Sequence, residues 1–118
     1  MMSLDKDDEK MKIYISGPIT GNPDYKKQFA DAATKLRNEG HQVLDPTVWN
    51  REGLELDYEE YMILDLTMVD IADAILMLPG WQNSKGAQRE YWRAKEKEKI
   101  VLVDYKTRSK GNGIKVSI

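Results

Sequence analysis

Asp65 occupies a position on its predicted helix where an acidic residue is unusual. Tyr61 and Met62 lie one turn before it, and Met68 and Val69 lie one turn after it, so all four flank Asp65 on one apolar stripe. Burying a charge costs free energy unless the charge is paired or hydrogen-bonded. Two interpretations follow: a structural aspartate that caps a neighbouring loop, or a functional carboxylate at the mouth of a sheet with a raised pKa.

Glu90 lies in the first turns of the helix that follows the apolar segment Ala74–Leu78. A glutamate near a helix N-terminus is favoured by the helix macrodipole, which is the ordinary explanation. The helix that carries Asp65 leads into the same apolar segment, however, so the two residues form a plausible carboxylate pair. Chemistry at the anomeric carbon of a sugar uses such a pair, one as nucleophile or ion-pair partner and the other managing protons.

Two loops add candidate substrate contacts. Gly17, Ile19 and Thr20 follow the first predicted strand and precede a helix, whose free backbone amides could hold an anion such as phosphate. The alternative is a plain tight turn, because neither GxGxxG nor GxxxxGK[ST] is present. Ser84 and Gly86 open the helix of Glu90, where the serine can cap the helix, bind phosphate, or do both.

Three aromatic residues could each stack on a base or simply pack in the core. They are Tyr14, Trp81 and Trp92, and only Trp81 lies in a predicted loop. Because aromatic residues more often pack in the core, Trp81 alone is a candidate for stacking on these grounds.

The elements that must position these residues alternate between strand and helix. Hydrophobic periodicity, glycines and a capping pattern at Asp57 and Glu60 define the boundaries. The predicted elements are strand Met11–Ser16, helix Asp24–Asn38, strand Gln42–Leu44, helix Asp57–Ala72, strand Ala74–Leu78, helix Gly86–Lys97, strand Ile100–Val103 and a possible edge strand Ile114–Ile118.

This order predicts a three-layer α/β/α fold with a four- to five-stranded parallel sheet, flavodoxin-like or Rossmann-like. Ligands bind such sheets at the carboxyl ends of the strands, which here are followed by the loops 17–23, 45–56 and 79–86.

Composition excludes several classes of function. The 118 residues suit one domain, and with no cysteine and one histidine there is no thiolate chemistry and no multi-histidine metal site. Chemistry by a pair of carboxyl groups needs no metal and no organic cofactor, so we expect neither. A net charge of -2 disfavours duplex nucleic acid, and no apolar run is long enough for a membrane span. We expect a cytoplasmic protein with a disordered or artificially added leader at 1–10 and one domain at 11–118.

Four segments in this order resemble the nucleoside 2-deoxyribosyltransferase superfamily. They are KIYISGPITG, LDLTMVDIADAI, GWQNSKGAQRE and IVLVD, and the resemblance extends from Met11 to Tyr105. The sequence looks closest to a small phage and bacterial subgroup of unassigned function. The same superfamily includes the 2′-deoxynucleoside 5′-phosphate N-hydrolases.

The resemblance implies a role for each candidate. Glu90 matches the glutamate that attacks the anomeric carbon, Asp65 the aspartate that assists departure of the base, and Tyr14 a tyrosine that orients the nucleophile. Ser84 matches a serine that contacts the 5′-phosphate in the hydrolases, which favours 5′-monophosphates. Thr20 stands where those hydrolases carry an arginine, so phosphate binding would depend on Ser84, backbone amides and Lys85 or Arg89.

The function implied is cleavage of the N-glycosidic bond of a 2′-deoxyribonucleoside 5′-monophosphate, or of a deoxynucleoside. A glutamate nucleophile would act, with water completing a hydrolysis or a second base completing a transfer. The alternative is a non-catalytic module on the same fold that binds or senses a nucleotide. Superfamily members form dimers or larger assemblies, so a homodimer or higher homo-oligomer is expected, with a small nucleoside or nucleotide as partner.

Overall fold

The computed structural model describes the backbone of residues 10–107 and 111–117, with side chains as far as Asp104. All but the last residue of the leader predicted at 1–10 lies outside the described residues. The helices and strands are β1 (Lys12–Ser16), α1 (Tyr25–Asn38), β2 (Gln42–Leu44), α2 (Tyr58–Ile71), β3 (Ala74–Met77), α3 (Lys85–Glu96), β4 (Ile100–Thr107) and β5 (Gly111–Ser117).

The five strands form one sheet in the order β2-β1-β3-β4-β5. The first four are parallel, as predicted, with Ile13 opposite Val43 on β2 and opposite Ala74 on β3. The possible edge strand predicted after β4 is present as β5, and it runs antiparallel to β4. Only residues 108–110 separate these strands, whereas a parallel return needs a crossover connection of a dozen or more residues.

Helices cover both faces of the sheet, which confirms the three-layer α/β/α architecture. On one face α1 packs through Phe29 and Leu36 against Ile13, Ile15 and neighbouring residues of β3. On the other face α2 and α3 cover the second group of buried hydrophobic residues of the sheet, namely Tyr14, Ile75, Met77 and Val101. The alternation along β1 therefore sends Tyr14 toward α2 and α3, and its two isoleucines toward α1.

Local sequence signals explain the boundaries of the two helices that carry the acidic candidates. Asp57 accepts a hydrogen bond from the Glu60 backbone amide at 2.8 Å, and the Glu60 carboxylate accepts one from the Asp57 amide at 2.9 Å. This reciprocal capping box starts α2. Ser84 caps α3 by accepting a hydrogen bond from the Ala87 amide at 3.2 Å.

Two predicted loops contain short 3-10 helices, Pro46–Trp49 and Trp81–Asn83. The first begins where the Asp45 side chain accepts a hydrogen bond from the Thr47 amide at 2.9 Å. Strand β4 is also longer than predicted, because it pairs with β5 from Val101 to Thr107. Within the described ranges, no helix is long and apolar enough to cross a membrane.

Position 17 needs a glycine because the loop after β1 passes very close to the end of β3. A Cβ atom at this position would lie 2.9 Å from the Leu78 Cβ and 3.3 Å from its Cδ1. Leu78 is buried, and its amide donates to the Ser16 carbonyl at 2.8 Å, so the leucine cannot move away freely. A side chain at residue 17 would push the loop after β1 away from the end of β3.

The substitution Gly17→Ala is therefore expected to lower the free energy of unfolding by about 1–3 kcal/mol through overpacking. Urea unfolding followed by circular dichroism measures this change. Gly86→Ala is the matched control, because its nearest neighbour would be the Met62 sulfur at 3.5 Å, an ordinary contact. Equal stability of Gly17→Ala and the wild type would contradict the close approach.

Candidate active site

Glu90 lies on the buried face of α3, between Ala87 and Ala94, and only 5% of the residue is exposed. Both of its carboxylate oxygens accept hydrogen bonds from β1. The Tyr14 hydroxyl donates to Oε2 at 2.9 Å, and the Ser16 hydroxyl donates to Oε1 at 2.6 Å. The carboxylate is thus held from both sides by residues of a central strand.

The two donors share one face of β1 because side chains two residues apart in a strand point the same way. Tyr14 was predicted as a site residue, whereas Ser16 was missed. The signal was present in the sequence, since Ser16 follows Tyr14 at the strand period of two. Because a serine at a strand end is common, only the position of Glu90 opposite it reveals the contact.

Asp65 lies on the buried stripe of α2 between Met62 and Val69, and 8% of the residue is exposed. Its Oδ1 atom is buried and accepts no hydrogen bond from any described residue. That arrangement does not suit an aspartate that caps a loop. Burial raises the pKa of Asp65 well above that of an ordinary aspartate.

The two carboxyl groups are close enough to influence each other's ionisation. Burial raises the pKa of Glu90, and the charge of Asp65 and a hydrogen bond between the two carboxyl groups add to this effect, while the hydroxyls of Ser16 and Tyr14 oppose it. The same hydrogen bond lowers the pKa of Asp65, against the effect of its burial. Burial, followed by the neighbouring carboxylates, also raises the pKa of Tyr14 well above its ordinary value. Tyr14 therefore stays protonated and remains a hydrogen-bond donor.

Asp65 and Glu90 face a cavity of about 370 Å³ at the carboxyl edge of the sheet. All three loops predicted to border the site contribute to it. The lining residues are Gly17, Ile19, Thr20, Tyr25, Pro46, Asn50, Tyr58, Tyr61, Met62, Asp65, Ser84, Gly86, Ala87 and Glu90. The predicted candidates Gly17, Ile19, Thr20, Ser84 and Gly86 thus meet the two carboxyl groups in one cavity.

The structure does not bring Trp81 to this cavity. Its ring stacks on Tyr91 with the centroids 4.7 Å apart, and it packs beside the core between α3 and the sheet. Trp81 was predicted to stack on a base because it lies in a loop. The short 3-10 helix at Trp81–Asn83 instead places it against α3, where it is partly buried.

The basic residues beside the site also point elsewhere. Lys85 and Arg89 line a separate, more open groove on the outer surface between α2 and α3. Arg89 donates to both Glu59 carboxylate oxygens, at 2.9 and 3.3 Å, and its guanidinium lies 5.5 Å from the centre of the Tyr58 ring. Neither side chain contributes to the lining of the cavity as described.

Sequence reasoning missed the aromatic wall of the cavity, which consists of Tyr25, Tyr58 and Tyr61. Tyr58 precedes Met62 by four residues and Asp65 by seven, so these three share one face of α2. That spacing was a usable signal. No cluster of three or more His, Asp or Glu side chains suited to a metal ion occurs among the residues the structure describes.

Residues 11–103 match the model of a protein family described as Domain of unknown function (DUF4406). The chain belongs to this family. No curated protein matches this DUF4406 domain.

Two solved structures show the same fold as the DUF4406 domain. One is a 2-deoxyribosyltransferase from the psychrotolerant bacterium Bacillus psychrosaccharolyticus, with a TM-score of 0.62 and 23% identity over 78% of this chain and 70% of that one. The other is a 2-deoxyribosyltransferase from Leishmania mexicana, with a TM-score of 0.63 and 17% identity over 88% of this chain and 77% of that one. At these identities the likeness establishes the α/β fold.

The raised pKa of Asp65 makes the stability of the domain dependent on pH. The folded state binds more protons than the unfolded state between the ordinary aspartate pKa and the raised one, so stability falls as the pH rises through that window. Asp65→Asn removes the titrating group. It is expected to raise the free energy of unfolding by roughly 1–3 kcal/mol above neutral pH and by little near pH 4.

Urea unfolding at about pH 4 and about pH 8 measures this difference. Asp31→Asn is the control, because Asp31 is exposed and pairs with Lys27 on the surface of α1. Its effect should stay within about 0.5 kcal/mol at both pH values. A destabilised Asp65→Asn variant at the higher pH would contradict the proposed cost of burying the charge.

Proposed function

We propose that this domain cleaves the N-glycosidic bond of a 2′-deoxyribonucleoside or its 5′-monophosphate, by hydrolysis or by transfer to a second base. The observation that carries the proposal is the buried pair of carboxyl groups, Asp65 and Glu90, which both line the cavity. A nucleophilic carboxylate next to a protonated carboxyl group is the arrangement that displacement at an anomeric carbon needs.

In the first step a Glu90 oxygen forms a bond to C1′ while the bond from C1′ to the base nitrogen breaks. The transition state resembles an oxocarbenium ion, and the negative charge of Glu90 stabilises it. The proton of Asp65 passes to the departing base, directly or through a water, so the base leaves as a neutral molecule. The sugar then remains bound to Glu90 as an ester-like intermediate.

In the second step water or another base attacks C1′ and releases Glu90 as a carboxylate. Asp65, now ionised, accepts the proton of the attacking group and returns to its starting state. At the end of the cycle Glu90 is again a carboxylate and Asp65 is again protonated. The two carboxyl groups supply both the nucleophile and the proton.

The remaining lining suits a nucleoside. The rings of Tyr25, Tyr58 and Tyr61 offer apolar surface and hydroxyl groups to a base and a sugar. Ser84 and the amides at the start of α3 lie where a 5′-phosphate or a 5′-hydroxyl could be bound. Arg89 is held by Glu59, so phosphate binding would depend on Ser84 and the amides.

The two structural relatives support the proposal, since both are 2-deoxyribosyltransferases and the bacterial one is a biocatalyst for the synthesis of nucleosides. We further propose that the chain lies near the 5′-phosphate N-hydrolases within that superfamily. Comparing 5′-monophosphates with nucleosides, and adding a second free base, separates these possibilities.

Free-base release followed by chromatography tests the function. The wild type is incubated with each 2′-deoxynucleoside and each 5′-monophosphate. Glu90→Ala should lose at least about a thousandfold in rate because it lacks the nucleophile. Asp65→Asn should lose roughly 100- to 10,000-fold, with the smaller losses for bases that leave readily.

Glu96→Ala is the matched control, a glutamate on the same helix that is exposed. It should retain wild-type activity. Absence of release across the panel by folded wild-type protein would overturn the catalytic proposal. If a nucleoside or nucleotide then still raised the melting temperature, a non-catalytic binding module would be the better explanation.

A further inference from the structure

Ser16 is a fully buried polar residue whose only described side-chain partner is Glu90. It lies at the end of β1 with no exposed surface, and its hydroxyl donates to Glu90 Oε1 at 2.6 Å. A separation of that length is typical of a hydroxyl that donates to an ionised carboxylate. The Ser16 carbonyl accepts a hydrogen bond from the Leu78 amide at 2.8 Å, so the sheet itself fixes the residue.

Glu90 and Asp65 differ in the donors that reach them. Glu90 receives two hydroxyl donors, whereas the buried Oδ1 of Asp65 receives none from the described residues. Two adjacent buried carboxyl groups cannot easily be ionised together. A hydrogen bond between the two carboxyl groups favours a proton on Glu90. The two hydroxyl donors act in the opposite direction, because they stabilise the ionised form of Glu90 and so favour a proton on Asp65.

We infer that Ser16 is a positioning residue, whose hydroxyl acts with that of Tyr14 to keep Glu90 ionised and to leave the proton of the carboxyl pair on Asp65. The role of this pair in catalysis rests on the proposed function. The distribution of the proton does not, because it follows from hydrogen bonds in the folded protein.

Other charged groups do not disturb this assignment. On α2, Asp70 pairs with Arg93 at 2.7 Å and Glu59 pairs with Arg89, both on the outer surface. Strand β3 presents only apolar side chains. Asp45, which follows β2, raises the pKa of Tyr14 through its negative charge. Within the described residues, the titratable groups that shift the pKa of Glu90 are thus Tyr14 and Asp65. Tyr25, Tyr58 and Tyr61 line the same cavity.

The same two hydrogen bonds also fix the direction of the carboxylate. With one donor on each oxygen, rotation about the last side-chain bond of Glu90 would break both contacts. A nucleophile held in advance needs no reorganisation when substrate binds. Loss of Ser16 should therefore affect the chemical step more than substrate binding.

The first experiment uses the wild type alone. Carbon-13 NMR of protein labelled at the side-chain carboxyl carbons follows both groups through a pH titration, with Glu90→Gln and Asp65→Asn to assign the signals. We expect an ionised Glu90 and a protonated Asp65 at neutral pH. A proton on Glu90 instead would overturn the inference, even if no substrate is ever turned over.

The second experiment uses Ser16→Ala and the hydroxyl-retaining variant Ser16→Thr. In Ser16→Ala the titration of Glu90 should move upward by about one pH unit, because a hydrogen bond to the charged form is lost. The acidic limb of the pH–rate profile should move in the same direction. We expect kcat to fall about tenfold in Ser16→Ala, with KM changed less than about twofold. Ser16→Thr should restore both kcat and the titration of Glu90.

An unchanged Glu90 titration in folded Ser16→Ala would overturn the role of the hydroxyl. A change in KM alone would also contradict it, since that result indicates a contact to substrate. If Ser16→Ala does not fold, the titration of Glu90 and Asp65 in the wild type still tests the inference. If the wild type turns over no nucleoside or nucleotide, the proposed function fails while the titrations still test Ser16.

Discussion

The arrangement of the site depends on the burial of Glu90 against two hydroxyl groups of β1. A carboxylate in the interior is unfavourable unless donors replace the water it loses. Tyr14 and Ser16 supply those donors from residues 76 and 74 positions away in the chain. The contact can form only if α3 lies across the centre of the sheet, so the site and the fold are coupled.

The topology places this contact where a cavity must form. Strands β1 and β3 are neighbours, but the helices that follow them pack on opposite faces of the sheet. The loops after the two strands diverge at that point and leave a crevice at the carboxyl edge. Gly17, which lies close to Leu78, lines the cavity together with the two carboxyl groups.

The inner and outer faces of α2 and α3 carry different kinds of charged residues. Their inner faces bring Asp65 and Glu90 together among apolar residues, which works against stability at neutral pH. Their outer faces carry the ion pairs of Arg89 with Glu59 and of Arg93 with Asp70. These pairs link the two helices and keep both guanidinium groups out of the cavity. The polar groups among the described lining residues are therefore carboxyl, hydroxyl and amide groups.

Local patterns in the sequence were enough to predict most of the fold. Periodicity, the capping box at Asp57 and the apolar run at Ala74–Leu78 depend on neighbours within a few residues, and the helices and parallel strands followed from them. The unusual position of Asp65 was also visible, because its apolar neighbours lie on the same helix. The direction of β5 could have been predicted from the short connection to β4.

Contacts between distant residues were decided only by the tertiary structure. The pairing of Ser16 with Glu90 depends on how α3 crosses β1, and neither segment alone contains that information. Trp81 and Arg89 illustrate the same limit, since both are near the site in sequence but turn toward Tyr91 and Glu59. Hydrophobic periodicity defines which face of an element is buried. Which polar groups meet on that face depends on the packing of the helices against the sheet.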